Sequence, residues 1–390
     1  MELYFISNIL PMEVVNHRKM SVAGAKFQVS LAEELYNQLD GHADFLSIVR
    51  RGNKESKILC NRVLFSDKQH DTIWHINKPF LEEITAGVQV FFKTLKWILK
   101  NRHKTRKVLM LNAPNEVITP VLILQKLRLC EGYSILIDSP FVKTNQTSMY
   151  IKWKKNEYKR GLKKLSSLKG VILLNKNVSK ILDLKTEHKV ILLGYEPADV
   201  MFDENHYDGI HNRKKKLMYA GTLSYVNGIE EMLDAFSLLP EDEYQLDICG
   251  YGPMEDYVNE YAQKHSNCTF HGRVSQEELD SLYSDADLMI NLRLPDDEDN
   301  DYSFPSKIIG YLYSGTLVLS TAFSSLPDSY RPYVIITDIS SPQNVAQNIQ
   351  QLFNKEENEL NKTAKNAREF IINNQSWEKV VEDIIDFFEQ

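Results

Sequence analysis

The sequence KLMYAGTLSYVNGIEEMLDAFSLLPEDEYQLDICGYGPMEDYV, residues 216–258, alternates two short β-rich runs with two longer amphipathic runs. Strands are predicted at Lys216–Ala220 and Gln245–Cys249, each bounded by turn-forming residues. Helical periodicity follows each strand, at Gly228–Leu239 and Met254–Lys264. Because parallel neighbouring strands need a long crossover connection, this order predicts a parallel sheet covered by helices.

The same alternation extends through the whole chain. In the first half, the predicted strands are Glu2–Asn8, Phe45–Val49, Lys107–Leu111, Tyr133–Asp138, Gly170–Leu174 and Lys189–Leu193, and the predicted helices are Gly24–Leu39, Phe80–Lys100, Val117–Leu129, Met149–Leu168 and Val178–Leu182. In the second half, the further strands are Cys268–His271, Leu288–Leu292, Thr316–Ser320 and Val334–Thr337, and the further helices are Gln276–Tyr283, Phe304–Ser314 and Pro342–Phe353. The predicted fold class is therefore α/β, with two doubly wound Rossmann-like domains.

The domain boundary is predicted in Gly194–Arg213, which is rich in turn formers and lacks periodicity. Apolar residues at helical spacing predict a last amphipathic helix at Trp377–Gln390. We therefore expect one domain at residues 1–195, a second at 196–376, and a terminal helix at 377–390.

Composition excludes several classes of protein. The 390 residues are 43% hydrophobic and 25% charged, which is typical of globular domains. No apolar run approaches the roughly 20 residues of a membrane span, and the first ten residues lack a signal-peptide pattern, so a cytoplasmic protein is expected. The four cysteines lack metal-binding spacing and are predicted to be reduced and mostly buried.

The two halves of the chain carry opposite charge. Residues 1–200 contain 32 Lys and Arg against 19 Asp and Glu, whereas residues 201–390 contain 14 against 34. Much of the basic charge lies in Lys93–Lys107 and in Lys152–Lys169, where Trp153, Tyr158 and Leu162 offer side chains for shallow insertion into a membrane. Nucleic acid, an anionic membrane surface and an ordinary solvated helix face all fit this pattern; we expect peripheral contact with the inner face of an anionic membrane and no nucleic acid.

Ligands of open parallel sheets bind at the carboxyl ends of the strands, so the loops there are the first place to look for a site. Small or polar residues follow three predicted strands of the second half, at Gly221 and Thr222, at Gly250 and Gly252, and at Asn291 through Arg293. A glycine after a strand also serves a tight turn, so each loop alone supports either a ligand or a turn.

The segment Asn291–Ser320 contains the strongest signal for a ligand. Ser303 is a good N-cap and Pro305 suits a first helical turn, which predicts a helix start. Lys307 then lies at the positive end of the helix dipole, an arrangement that a bound phosphate would stabilise. The alternative is a lysine that extends to solvent or to the acids of Asp296–Asp301, and those acids are more typical of a solvated loop than of a metal site.

Three segments taken together resemble a known family. YAGTLSYVNGIEEMLDAF, DICGYGPMEDYV, and INLR followed by FPSKIIGYLYSGTLVLST resemble the family 4 retaining glycosyltransferases, in particular bacterial enzymes of capsule and exopolysaccharide assembly. The resemblance covers Lys216–Leu352, and in the first half it rests on AGAKFQVSLAEEL. It implies a GT-B fold, in which two Rossmann-like domains face each other across a cleft and the final helix returns to the first domain.

The resemblance also implies roles for residues. The second domain would bind a nucleotide diphosphate sugar as co-substrate, with no further cofactor and no metal, and the first would bind a glycan or lipid-linked acceptor. Lys307 and Arg293 would act on the donor diphosphate. The other donor-binding candidates are Gly221, Thr222, Gly250, Gly252, Asn291, Tyr302, Ser303, Phe304, Pro305 and Ser306. The acceptor-side candidates are Gly24, Ala25 and Asp138, although Asp138 also suits a turn or a helix cap, and Tyr302 and Phe304 also suit packing.

Several positions depart from the family pattern. Gly310 stands where the family usually has a ribose-binding glutamate, and Tyr302 stands where its acidic partner is common. Asn227 occupies the position of a diphosphate-binding lysine, and the usual histidine of the first domain has no counterpart in LNAPNE or LIDSPF. A catalytically silent GT-B subunit that supports a partner enzyme is therefore the main alternative. An epimerase or a nicotinamide enzyme is a further one, although the first βα segment lacks GxGxxG.

Overall fold

The computed structural model describes residues 1–9, 22–49, 71–74, 81–112, 114–137, 148–192, 194–195, 202–294, 302 and 306–390. The chain divides into two compact units. The first unit contains Met1–Gly194 together with Trp377–Gln390, and the second contains Tyr195–Ser376.

In its described residues, the first unit is a parallel sheet of seven strands covered by helices. Its strands are β1 (Glu2–Ser7), β2 (Ala43–Val49), β3 (Asp71–Trp74), β4 (Arg106–Leu111), β5 (Glu131–Leu136), β6 (Gly170–Leu173) and β7 (Glu187–Val190), in the spatial order β3-β2-β1-β4-β5-β6-β7. Its helices are α1 (Val22–Gln38), α2 (Leu81–Lys100), α3 (Asn115–Lys126), α4 (Met149–Lys164), α5 (Lys176–Ile181) and, at the end of the chain, α12 (Trp377–Glu389). The sheet and its helices confirm the predicted doubly wound arrangement.

The final helix belongs to the first unit. In α12, Val381 and Phe388 are buried against the same core as Phe5 and Leu109 of the central strands. The ring of Phe388 lies 4.7 Å from that of Tyr133 on β5. An amphipathic terminal helix thus covers one face of the first sheet.

The described part of the second unit is a parallel sheet of six strands. Its strands are β8 (Lys215–Thr222), β9 (Tyr244–Tyr251), β10 (Cys268–Gly272), β11 (Leu288–Asn291), β12 (Leu317–Thr321) and β13 (Ile335–Thr337), in the spatial order β10-β9-β8-β11-β12-β13. Its helices are α6 (Ile229–Phe236), α7 (Glu255–Lys264), α8 (Gln276–Asp285), α9 (Lys307–Tyr313), α10 (Pro342–Phe353) and α11 (Glu357–Gln375). The unit has its own core of strand and helix residues, including Leu217, Ile248, Leu233 and Ile349.

A buried polar cluster fixes the amino-terminal edge of this second sheet. Asp287, which is fully buried, accepts two hydrogen bonds of 2.7 Å from Arg213 and one of 2.7 Å from the backbone N–H of Lys216. His206 lies 2.8 Å from the same carboxylate. Burial raises the pKa of Asp287, but these hydrogen bonds outweigh burial and hold the pKa below its usual value.

Two of the strands and helices in the described residues were not predicted from the sequence. β3 has only four residues and lies at the edge of its sheet, so its sequence offers no long apolar run. In α11 the buried positions are Leu360, Ala364, Ala367 and Ile371, and the small alanines hide the apolar stripe in a polar sequence.

The cysteine prediction is confirmed where the structure tests it. Cys130, Cys249 and Cys268 are buried free thiols, and Cys60 lies outside the described residues. None of the helices in the described part of the chain has the length and apolar character of a membrane span.

Candidate functional site

The carboxyl ends of β8, β9 and β11 lie side by side in the second unit. β8 and β9 pair along their whole length, so that Gly221 is level with Gly250 and Thr222 with Tyr251. β11 flanks β8 on the other side and ends at Asn291, just before Arg293. The predicted loops are thus brought to one edge of one sheet, where open parallel sheets bind their ligands.

Two of the predicted glycines serve close contact between these strand ends. A Cβ atom at Gly250 would lie 1.9 Å from the carbonyl oxygen of Gly221, and one at Gly252 would lie 2.3 Å from that of Leu223. Both glycines also have positive φ angles, 146° and 155°. The backbone itself therefore requires these glycines, whether or not a ligand approaches.

Gly221 has a different neighbour, the side chain of Lys307. A Cβ atom at Gly221 would lie 3.7 Å from both Cδ and Nζ of Lys307. The same Nζ lies 4.1 Å from the centre of the Tyr219 ring, in a cation–π contact. The first residue of α9 therefore projects its ammonium group across the end of β8.

The ammonium group of Lys307 is in an unfavourable environment. Its Nζ atom is buried and has no hydrogen-bond partner among the described residues. Burial, and secondarily the positive charge of Arg293, lower the pKa of Lys307 well below its usual value. A bound anion would supply the missing partner and compensate both charges.

The end of β11 is held rigidly beside this lysine. Asn291 is fully buried and donates a hydrogen bond of 2.8 Å to Ser320 of β12. The carbonyl oxygen of Arg293 accepts one of 2.6 Å from Thr321. The amide of Asn291 thus lies inside the sheet as a tie between strands, whereas Arg293 is half-buried at its edge.

The loop after β8 is stabilised by hydrogen bonds from a neutral side chain, that of Asn227. Asn227 donates hydrogen bonds of 2.8 Å to the carbonyl oxygen of Thr222 and 2.9 Å to the hydroxyl of Ser224. Thr222 itself is exposed, and its carbonyl oxygen also accepts a hydrogen bond from Tyr219. The residue at the position of the family's basic group therefore shapes the loop.

Gly310 lies in the middle of α9 and faces Tyr195. A Cβ atom at Gly310 would lie 3.4 Å from Cε2 of Tyr195 and 3.6 Å from its hydroxyl oxygen. The Tyr195 ring also packs 4.6 Å from that of Tyr313, centre to centre. Where the family pattern has an acid, this protein has a glycine covered by a tyrosine.

The remaining donor-side candidates are only partly described. Tyr302 is half-buried, and Ser306 is exposed at the start of α9, where its side chain caps no backbone N–H. Ser303, Phe304 and Pro305 lie outside the described residues, and so does the predicted start of the helix at Ser303. The described part of that helix begins at Lys307, which remains in its first turn.

The acceptor-side candidates lie in the first unit. Gly24 and Ala25 belong to the first turns of α1, in agreement with the helix predicted at Gly24–Leu39. The carbonyl oxygen of Gly24 accepts a hydrogen bond of 3.0 Å from Gln28, whose side-chain oxygen in turn accepts one of 2.7 Å from the backbone of Asn8. Asp138 lies outside the described residues.

Sequence analysis missed two tyrosines beneath the site. Tyr219 supplies the ring under Lys307, and Tyr311 of α9 exchanges hydrogen bonds of 2.8 and 3.0 Å with the backbone of Ala220. The position of Tyr219 could have been predicted from strand alternation. Residues two apart in a strand lie on the same face of the sheet, and Tyr219 precedes Gly221 by two. Within the part of the chain that the structure describes, no three His, Cys, Asp or Glu side chains form a group suited to a metal ion.

The comparisons with known proteins concern the second unit and the fold. Residues 201–370 match the model of the family described as Glycosyl transferases group 1. A comparison with curated proteins gave no match for this chain.

Solved glycosyltransferase structures share the architecture over the whole chain. HepE of Anabaena, crystallised with UDP, is 13% identical with a TM-score of 0.64, and 100% of each chain is covered. Sucrose-phosphate synthase of Thermosynechococcus elongatus is 15% identical with a TM-score of 0.62, covering 100% of this chain and 99% of that one. A glycosyltransferase of Rickettsia africae is 14% identical with a TM-score of 0.63, covering 100% and 98%. The protein therefore has the GT-B fold of glycosyltransferases, and its second unit carries the match to the group 1 family.

Proposed function

We propose that this protein is a retaining glycosyltransferase of the family 4 type. It would transfer a hexosyl group from a nucleotide diphosphate sugar to a hydroxyl of a glycan or lipid-linked acceptor, in the assembly of a surface polysaccharide such as a capsule. The first unit would bind the acceptor and the second the donor. UDP is the first nucleotide to test, because it is bound in the structure of HepE.

The observation that carries the proposal is the buried ammonium group of Lys307, which has no hydrogen-bond partner among the described residues and lies near the charge of Arg293. A nucleotide diphosphate brings negative charge to such a group. Charge-assisted hydrogen bonds form in place of the lost solvation, and they are stronger than neutral ones.

The same arrangement suits the chemistry of transfer. When the bond between the sugar and the diphosphate breaks, negative charge grows on the leaving diphosphate. Fixed cations and backbone N–H groups stabilise that charge without needing to reorganise. Lys307 and Arg293 would thereby take the part that a metal ion plays in other transferases, so the reaction would need no metal.

Calorimetric titration with UDP tests the donor site. The Lys307→Ala protein should bind UDP at least tenfold more weakly than the natural protein, since one charge-assisted contact is lost. Lys264→Ala is the matched control, because Lys264 is an exposed lysine at the end of α7. Equal affinity in the natural and Lys307→Ala proteins would refute the assignment.

A catalytically silent subunit is the second candidate function. It is favoured by Gly310 and Asn227, which stand where the family pattern has a ribose-binding glutamate and a diphosphate-binding lysine. Gly310 is covered by Tyr195, and Asn227 holds the loop after β8. A hydrolysis assay over a panel of nucleotide sugars separates the two functions: an enzyme releases sugar from at least one donor, whereas a silent subunit binds nucleotide without release.

A further inference from the structure

Helix α2 of the first unit is apolar on two opposite faces. Its inner face buries Ala86, Val90 and Ile98, and Trp97 stacks on Tyr4 of β1 with 5.0 Å between ring centres. This face attaches the helix to the sheet. An ordinary surface helix would present polar residues on its other side.

The outer face of α2 instead exposes large apolar side chains along its whole length. Ile84 is 62% exposed, Val88 51% and Phe92 63%. Leu81 and Leu99, at the two ends, are 47% and 62% exposed. The spacing of three, four, four and seven residues places all five on one stripe about 27 Å long.

The stripe continues into a groove formed with two neighbouring helices. The groove has a volume of about 530 Å³. Its apolar walls include Phe91 from α2, Pro120 and Ile123 from α3, and Trp153 from α4. The side chain of Ile123 in this wall is 46% exposed, and that of Met149, the first residue of α4, is 81% exposed. An apolar surface of this extent on a globular protein marks an interaction site.

The exposed charged residues of these three helices have one sign. On α2, α3 and α4 every exposed residue is apolar or basic, apart from Asn156. The exposed basic residues are Lys96, Lys100, Lys126, Lys152, Lys159, Arg160 and Lys163.

The acids of the same three helices are buried or half-buried, and Glu83, Glu116 and Glu157 line the groove. The side chains of Glu82, Glu83 and Glu157 are 3%, 11% and 15% exposed. Glu83 lies 3.2 Å from Lys154, Glu157 pairs with Arg160, and Glu116 is half-buried. The face therefore presents positive charge around an apolar centre.

We infer that the outer face of α2, together with the exposed lysines of α4, docks on an anionic lipid bilayer. A bilayer offers partners for both kinds of residue on this face: its apolar interior can take up Ile84, Val88 and Phe92, and its anionic headgroups can bind the lysines. A protein partner of matching chemistry would need an apolar surface with acidic flanks. The inference rests on the proposed function in one respect, that a lipid-linked acceptor would lie in such a bilayer.

The structure also revises which residues insert. Trp153, one of the residues expected to insert, lines the groove, but Leu162, another of them, is only 6% exposed and packs inside the unit. The inserting residues are therefore mainly those of α2, and α4 supplies mainly charge.

Co-sedimentation with vesicles tests the docking surface. The natural protein should bind vesicles of phosphatidylglycerol and phosphatidylcholine at low salt, bind much less at high salt, and bind vesicles of pure phosphatidylcholine weakly. The Lys159→Ser/Lys163→Ser protein should lose about fivefold in partition coefficient for each lysine. The Ile84→Ser/Phe92→Ser protein should lose binding at least tenfold.

Matched variants of the second unit are the controls. Ile336→Ser/Ile372→Ser removes apolar side chains that are 40% and 46% exposed, and Lys264→Ser/Lys362→Ser removes two exposed lysines. Both control proteins should bind vesicles like the natural protein. Circular dichroism and UDP affinity should be unchanged in all four variants.

Each other outcome overturns the inference. Equal and negligible binding to both kinds of vesicle would do so, as would unchanged vesicle binding by the α2 and α4 variants. So would a natural dimer, measured by sedimentation equilibrium, that Ile84→Ser/Phe92→Ser converts to a monomer without affecting lipid binding. Because UDP binding and sugar release are measured separately, an inactive protein that still binds anionic vesicles would refute the proposed function and leave the docking surface intact.

Discussion

Replacing Lys307 by methionine should stabilise the ligand-free protein while weakening nucleotide binding. The buried Nζ atom has no hydrogen-bond partner among the described residues and lies 4.1 Å from the centre of the Tyr219 ring. Methionine has a similar length and no charge, so it keeps the packing and removes the desolvated cation.

The two effects have different magnitudes. Loss of a charge-assisted contact to the diphosphate should cost about 1.5–3 kcal/mol of binding free energy, or about 10- to 150-fold in Kd. Removal of the buried charge stabilises the ligand-free fold by several kcal/mol at most, and loss of the cation–π contact offsets up to about 2 kcal/mol of that. The expected net gain in the free energy of unfolding is on the order of 1 kcal/mol.

The gain should depend on pH with a definite sign. Burial lowers the pKa of Lys307 in the folded state, so the unfolded chain binds more protons between that pKa and the unfolded value of about 10.4. The buried charge of Lys307 lowers the free energy of unfolding of the natural protein. This destabilisation disappears as the pH rises through that window, because the residue then loses its proton. The difference between the Lys307→Met and natural proteins should be largest at low pH and should narrow toward pH 10.

Urea denaturation at several pH values and titration with UDP measure both effects on the same two proteins. Lys264→Met serves as the control, because Lys264 is exposed and should show neither effect. A Lys307→Met protein that is less stable than the natural one at neutral pH, or that binds UDP equally well, would refute the reasoning.

Four further substitutions, at three positions, probe the packing within the two units. Asp287→Ala should lower the free energy of unfolding by about 1.5–3 kcal/mol in urea denaturation, because Arg213 loses its charged partner and the backbone N–H of Lys216 loses its acceptor. Gly194→Ala should lower the free energy of unfolding by about 1–3 kcal/mol, since its Cβ would lie 2.4 Å from the Trp377 ring; an unchanged thermal midpoint would contradict this. Gly310→Ala should raise stability by up to about 1 kcal/mol, because its Cβ would make an ordinary 3.4 Å contact with Tyr195 and a helix glycine would be removed. Gly310→Glu should instead lower stability, because its carboxylate would be buried against that ring.

Most strands and helices could be predicted because buried parallel strands leave a local signal. Runs such as KLMYAGT are apolar over several residues, bounded by turns and followed by amphipathic periods, and β8 indeed spans Lys215–Thr222. Where the signal is weak the prediction failed. β3 is a short edge strand, and α11 uses alanines where a clearer helix would use leucines.

Only the part of the site that follows from the order of the strands and helices could be predicted from the sequence. Parallel strands bring their carboxyl ends to one edge, so Gly221 and Arg293 were expected together from the order of elements alone. The contacts that give the site its character are tertiary. Neither the burial of the Lys307 ammonium group over Tyr219 nor the cover of Gly310 by Tyr195 follows from local sequence.

The departures from the family pattern have a common physical consequence. Asn227 holds the loop after β8 through the carbonyl oxygen of Thr222, and Tyr195 covers the backbone of Gly310, so both positions now serve the packing of the second unit. Lys307 and Arg293 supply positive charge beside the ends of β8 and β11. A buried cation without a partner destabilises the ligand-free protein, and a chain that bound no anion would be more stable with methionine there. On the proposed function, recognition of the donor is therefore concentrated on its diphosphate, and the ribose contributes less than the family pattern implies.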